Sequence, residues 1–373
     1  MPISRIDNEG LTGPIGGRRN LIINGAMNVA QRATSVLASG SNGFKTVDRF
    51  RYTRSGTVPL WDFTQGTSGP NGFSYTFKAT LDTAHTLASN SIAYIHSKLE
   101  AQDLQHLRYG TSDAKTLTLS FWVKSSNTGT FIVELLHSDA SQYQNLAYTI
   151  SSANTWEYKT LTYVGNTSTA INNDTGTGLE TRFILTAGSD YTGGSLNTGW
   201  NATSVSSGRY TGQIDLAATA ANYIEITGVQ LEVGSVATEF EHRSFGEELA
   251  LCQRYYYRIE RADSTDSNNA VGRGVASTYI GIGQVNSSTQ VFQDVNFPCV
   301  MRDTPTVDYS DASDIVTHDG TAGKNASAVV LVTHKMINHV FLLITPSSSH
   351  TAGRACRTFL GASGEFIEFK AEL

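Results

Sequence analysis

The sequence predicts an all-β protein of two β-sandwich, jelly-roll-like domains joined by a short helix, and three observations predict it. Hydrophobic residues make up 39% of the chain against the ~45–50% of an average globular protein, and charged residues 16% against ~25%, with Ser, Thr, Asn and Gly filling the difference. That mixture suits short strands joined by polar turns, because Thr and aromatic residues fit a pleated surface while Gly and Asn tolerate positive φ. From Asn20 onward, short alternating segments separated by turn signals run through most of the chain. Finally, 373 residues exceed what one core organises, since single cores stop growing near ~250 residues.

In chain order, residues 1–18 carry several glycines and Pro14 without apolar periodicity and read as an extended arm. The first sandwich is expected over residues 19–243. Its clearest strand is Lys115 to Lys124, where Leu117, Leu119, Phe121 and Val123 share one face and Thr118, Ser120, Trp122 and Lys124 the other. Ser125 to Gly129 reads as a hairpin turn into Thr130–His137, with Phe131, Val133 and Leu135 inward. Further strands are expected from Trp156, over Arg182–Thr186 and over Tyr223–Val233, with a long polar excursion from Ala187 to Ala221 between the last two. Ser244 and Glu247 form a capping box that starts a linker helix over residues 244–256. Residues 257–373 return to about seven strand patterns, enough for a second small sandwich.

Several function classes are excluded by what the chain lacks. A net charge of −6, with no Lys/Arg run longer than Arg18-Arg19, argues against nucleic acid, whose phosphates call for a basic stripe. The apolar stretches Ala328–Val332 and Val340–Ile344 fall far short of the ~20 residues that span a bilayer, so no membrane insertion is expected. The N-terminal residues lack the apolar segment of a signal peptide, which predicts that the general secretory route is not used. Cys252, Cys299 and Cys356 are odd in number and widely spaced, as in a chain made in a reducing cytosol.

No enzyme motif is present: no GxSxG, HExxH, Walker loop or dinucleotide fingerprint. Gly272-Arg273-Gly274 is better explained as a turn, and His334 and His339 as flanks of a hairpin tip. Glu134, Glu180, Glu225 and Glu232 are the candidate carboxylates, and nothing marks two of them as the facing pair a glycosidase needs. A non-enzyme without cofactor or metal is therefore expected. Among the tryptophans, Trp156 reads as core; Trp122, on a polar strand face, and Trp200, in the polar excursion, read as better placed for recognition.

Asn20–Arg32, Thr46–Phe50, Leu99–Ser125, Ala153–Tyr163 and Ile226–Tyr256 resemble a family of tail-fibre-like proteins of marine and other bacteriophages, and the closing FKAEL resembles their C-termini. The first domain also resembles jelly-roll carbohydrate-binding modules, with an NLIxNG opening, a Trp-led strand and a closing I-x-G-V-Q-L-E strand. Where many such modules carry a Phe-Glu pair whose Glu holds a structural calcium, this chain has Met27-Asn28, so no metal site is expected. The resemblance implies a homotrimeric virion fibre or receptor-binding protein, made in the host cytoplasm, released by lysis, docked to other virion proteins through the arm and attached to a host cell-surface glycan. The rival readings are a structural virion protein, as adaptor or capsid-attached fibre, and a polysaccharide depolymerase. For the saccharide site the expected residues are Trp122 and Lys124 on their strand and Trp200, Arg209 and Tyr210 from the long loop.

Overall fold

The alternation read in Lys115–Lys124 is the rule that builds the first unit. In the strand Leu117–Ser125, Leu117, Leu119, Phe121 and Val123 are fully buried while Trp122 and Lys124 are half-buried. The computed structural model describes residues 18–261, 279–361 and 364–373; the expected arm, apart from Arg18, and the turn at Gly272-Arg273-Gly274 lie outside the described residues. The chain divides into two compact units, Met1–Glu248 with Leu373, and Leu249–Glu372.

The first unit is a sandwich of two antiparallel sheets. A front sheet holds, in spatial order, Ser35–Ser39, Trp61–Gly66, Thr76–Leu81, Tyr223–Val233, Leu117–Ser125 and Glu157–Tyr163. A back sheet holds Asn201–Ala202, Gln142–Ile150, Gly129–His137, Thr177–Ala187, Ile92–Glu100, Arg51–Ser55 and Gly43–Phe44. Between them lies one core that includes Phe50, Trp61, Phe63, Phe77, Phe121, Phe131, Phe183 and Leu231. The expected hairpin at Ser125–Gly129 is instead a crossing: Leu117–Ser125 pairs with Tyr223–Val233 and Glu157–Tyr163, whereas Gly129–His137 pairs with Gln142–Ile150 and Thr177–Ala187. Two strands that point apolar residues at one core can flank a hairpin or face each other across a sandwich, and alternation alone does not separate these cases.

Two features of the NLIxNG opening explain its local sequence. Asn24, at φ 62°, donates from Nδ2 to the carbonyls of Val29 and Asp48 at 2.8 and 2.9 Å and accepts from the Val29 amide at 3.0 Å, so one side chain closes the turn. Met27, in the place of the Phe of the Phe-Glu pair, is fully buried in the core, and Asn28, in the place of the Glu, is half-buried. In Tyr223–Val233 the register slips between Thr227 and Gln230 at Gly228, φ 60°, where a Cβ would lie 2.7 Å from the Phe73 ring. Only glycine meets both demands.

The capping box forms as read: the Ser244 amide donates to Glu247 Oε2 at 3.0 Å, Ser244 Oγ accepts from the Glu247 amide at 3.3 Å, and the helix runs Phe245–Gln253. The second unit is all-β as expected, but its strands close on themselves where a second sandwich was expected. Tyr279–Ser287, Gln290–Asn296, His339–Pro346, Gly323–Lys335, Ile315–His318 and Ala355–Leu360 form a closed barrel, the last pairing back to the first. Closure removes the unpaired edges that so small a sheet would otherwise expose. Tyr256–Glu260, Phe366–Lys370 and Thr306–Tyr309 make a separate small sheet sharing the barrel's core through Ile259, Ile367 and Phe369. His339 opens its strand after a tip at Met336–Asn338, so the hairpin read there is present.

Candidate functional site

The outer face of the front sheet gathers aromatic and charged side chains that the core does not use. Trp122 sits between Tyr158 and Thr227 on its two neighbouring strands, with the Trp122 and Tyr158 rings 5.4 Å apart and Tyr158 45% exposed. One pair further along, Lys124 Nζ lies 2.8 Å from Glu225 Oε2 and 4.6 Å above the Trp156 ring. Glu225 also accepts from Thr76 Oγ1 at 2.6 Å. On the next strand Lys78 stands opposite Glu225 and 4.3 Å from the Tyr223 ring centre, and Tyr223 donates to Asn154 Oδ1 at 2.7 Å. Trp156 donates from Nε1 to the Ser68 carbonyl at 3.2 Å and is half-buried on this face. It is therefore not the core residue expected, because the strand proper begins one residue later, at Glu157.

Held on paired strands, these rings are placed rigidly, and the ion-paired Lys124 and Glu225 are fixed donors and acceptors beside them. Aromatic faces next to fixed polar groups suit a ligand with both apolar and hydroxyl-bearing faces, as a pyranose ring has.

The loop residues expected to join this site lie elsewhere. Trp200 packs against the sandwich core, its ring 6.1 Å from Tyr109 and 6.2 Å from His137, and donates to the Val164 carbonyl at 3.0 Å. Arg209 and Tyr210 belong to the outer face of the back sheet and are buried there, Tyr210 completely. Both bind Glu134: Arg209 Nε and NH2 at 2.7 and 2.8 Å, the Tyr210 hydroxyl at 3.0 Å. The expected five-residue constellation is thus split, with Trp122 and Lys124 in front and Arg209 and Tyr210 behind. The cause is the apolar surface of the back sheet, where Ile92, Ile132 and Ile184 cluster with Tyr210 and draw the loop down. The signal was available, since Ile132 and Leu136 make both faces of Gly129–His137 apolar, the mark of a strand covered on both sides.

Beside that cover the back sheet carries a row of cross-strand partners: Arg51, His96, Arg182, Glu134 and Asn145. Arg182 binds Glu180 through Nε at 2.6 Å and Glu134 through NH1 at 3.1 Å, and lies over the Tyr94 ring at 4.7 Å. His96 Nδ1 is 2.6 Å from Glu180 Oε1 and Nε2 is 2.9 Å from Thr53 Oγ1. Burial pushes His96 below the usual histidine value, against the pull of the Glu180 carboxylate beside it. Burial acts to raise Glu180, but the hydrogen bond from His96 and the Arg182 guanidinium outweigh it and hold the carboxyl well below the usual range.

In the second unit an open cleft of about 320 Å³ is lined by residues including Tyr257, Ile259, Ile280, Ile282, Asp294 and Asn296. Among the described residues Cys252, Cys299 and Cys356 form no disulfide.

No protein-family model and no curated protein matches the chain. Among solved structures, one similar to it is the enzymatically active domain of bacteriophage CBA120 tailspike protein 4, at 14% identity over 58% of this chain and 21% of that one, TM-score 0.33. This chain therefore spans about a fifth of that tailspike. TmCBM61, solved with β-1,4-galactotriose, is similar at 10% identity over 58% of this chain and all of its own (100%), TM-score 0.28. The family 11 carbohydrate-binding module from Clostridium thermocellum, solved with a β-1,3-1,4-mixed-linked tetrasaccharide, is similar at 10% identity over 56% of this chain and 99% of its own, TM-score 0.26.

Proposed function

We propose that this protein is a non-catalytic saccharide-binding component of a phage virion that attaches the particle to host-surface polysaccharide through the outer face of its front sheet. The observation that carries the reading is the Trp122–Tyr158 ring pair, Tyr158 45% exposed, standing on adjacent strands beside the Lys124–Glu225 ion pair. Rings that pack no core and sit next to fixed polar groups have the composition of a sugar platform. A virion setting is supported by the likeness of Asn20–Arg32 and Ile226–Tyr256 to tail-fibre-like sequences, and a homotrimer is the assembly that likeness implies. A glycan array probed with the purified chain tests the reading: retention of a discrete set of glycans without release of reducing ends supports it, and reducing-end release would make the protein a depolymerase.

A structural virion protein is the second reading, favoured by apolar side chains left exposed on the barrel, Ile282 at 65%, Val330 at 51% and Phe341 at 36%. Such a surface fits packing against a neighbouring subunit better than it fits sugar. An array that retains no glycan, with the chain assembled into particles, would favour it.

A further inference from the structure

We infer a second binding site, for an acidic saccharide bearing carboxylate or sulfate groups, on the outer face of the back sheet at Arg51 and Lys98. It is separate from the aromatic face and does not depend on it. Arg51 and Lys98 are brought together by register: Arg51 is the cross-strand partner of His96, and Lys98 lies two residues beyond His96 on the same face, opposite Glu180.

The charges here do not balance. Glu134 and Glu180 are taken up by Arg182 and Arg209, with His96 also on Glu180. Glu100, next on the face, accepts from Gln102. Among the described residues no ion pair reaches Arg51 or Lys98. Burial first, and then the neighbouring cations Arg51, Arg182 and Arg49, lower Lys98, against the pull of Glu180. Half-buried cations without a counter-ion raise the energy of the folded chain, and an oxyanion placed among them removes that cost.

The surroundings select a sugar carrier over a bare ion. The Tyr94 ring and the Thr53 hydroxyl stand on the same face, in the neighbouring row to Arg51 and His96, both half-buried, with Arg182 over one face of the Tyr94 ring at 4.7 Å and the Thr53 hydroxyl 2.9 Å from His96 Nε2. An acidic sugar seated there would place its charged group on Arg51 and Lys98 and its ring toward Tyr94. Arg51 supplies a planar fork for a carboxylate, and Lys98 a point charge.

The test is equilibrium binding of the full chain, in low salt, to polygalacturonate, dextran sulfate and neutral dextran, with duplex DNA as a general polyanion. We expect binding of polygalacturonate or dextran sulfate, whichever carries the matching group, none of dextran, and weaker binding of DNA. Arg51→Gln and Lys98→Gln should each lower affinity about tenfold, the effect of losing one charged hydrogen bond. Both variants should melt no earlier than the parent chain, because neither cation is paired. Trp122→Ala should leave this binding intact, so loss here and loss at the front face are distinguishable. Equal affinity in parent and variants, DNA bound as tightly as the acidic polysaccharide, or binding of neither acidic polymer would overturn the proposal.

Discussion

Glu134 is the residue on which the covered half of the back sheet depends. It is fully buried and holds Arg182, Arg209 and the Tyr210 hydroxyl. Removing one partner of a buried ion network leaves the others uncompensated, so Glu134→Ala should cost about 3–5 kcal/mol in urea denaturation. The neighbouring pair sets an acid limit. His96 has its folded value below the unfolded one, so the unfolded chain takes the proton first, and stability falls as pH drops through about 6.5. Glu180 is depressed in the fold, so its contribution is present above the unfolded value near ~4.3 and is lost as pH falls further. Denaturation midpoints from pH 7.5 to 5 should decline, and His96→Gln should flatten that decline. The cover was legible in the apolar outer positions Ile132 and Leu136, but the ion pairing beneath it was not, because Arg209 and Glu134 lie 75 residues apart.

Single elements were more legible than their pairings. Leu117–Ser125 and Tyr223–Val233 fall where alternation puts them, because an inward face of Leu, Phe, Val and Ile leaves one register available. The sheet each strand joins is set by partners distant in sequence, which is why Ser125–Gly129 reads as a hairpin and is a crossing. The tryptophans divide accordingly. Trp200, packed on the core beside Tyr109 and His137, should cost about 2–3 kcal/mol as Trp200→Ala, the worth of a largely buried aromatic, while saccharide binding per folded molecule is unchanged. Trp156→Ala, on the outer face, should cost well under the ~3–5 kcal/mol of a core tryptophan and should weaken binding instead. Denaturation and affinity measured on the same preparations check both.

For the whole molecule, two units with separate cores predict two unfolding transitions in the intact chain by calorimetry. The stretch from Ser235 that leads into the helix is bound to the first unit: Glu241 accepts from the Arg19 and Asn20 amides at 3.2 and 2.8 Å, and the Thr238 hydroxyl donates to Glu232 at 2.6 Å. Limited proteolysis should therefore spare it. Self-association belongs to this scale as well: sedimentation at micromolar concentration should show a trimer, and a stable monomer would remove the fibre geometry. The claim on which the functional reading rests is that the front face holds the saccharide, and the most direct measurement is the affinity of Trp122→Ala and Tyr158→Ala for the glycan best retained on the array. Each substitution should weaken binding several-fold at an unchanged melting temperature, since ring stacking is worth about 0.5–1.5 kcal/mol beyond burial; full affinity in both folded variants would place the site elsewhere and contradict the account.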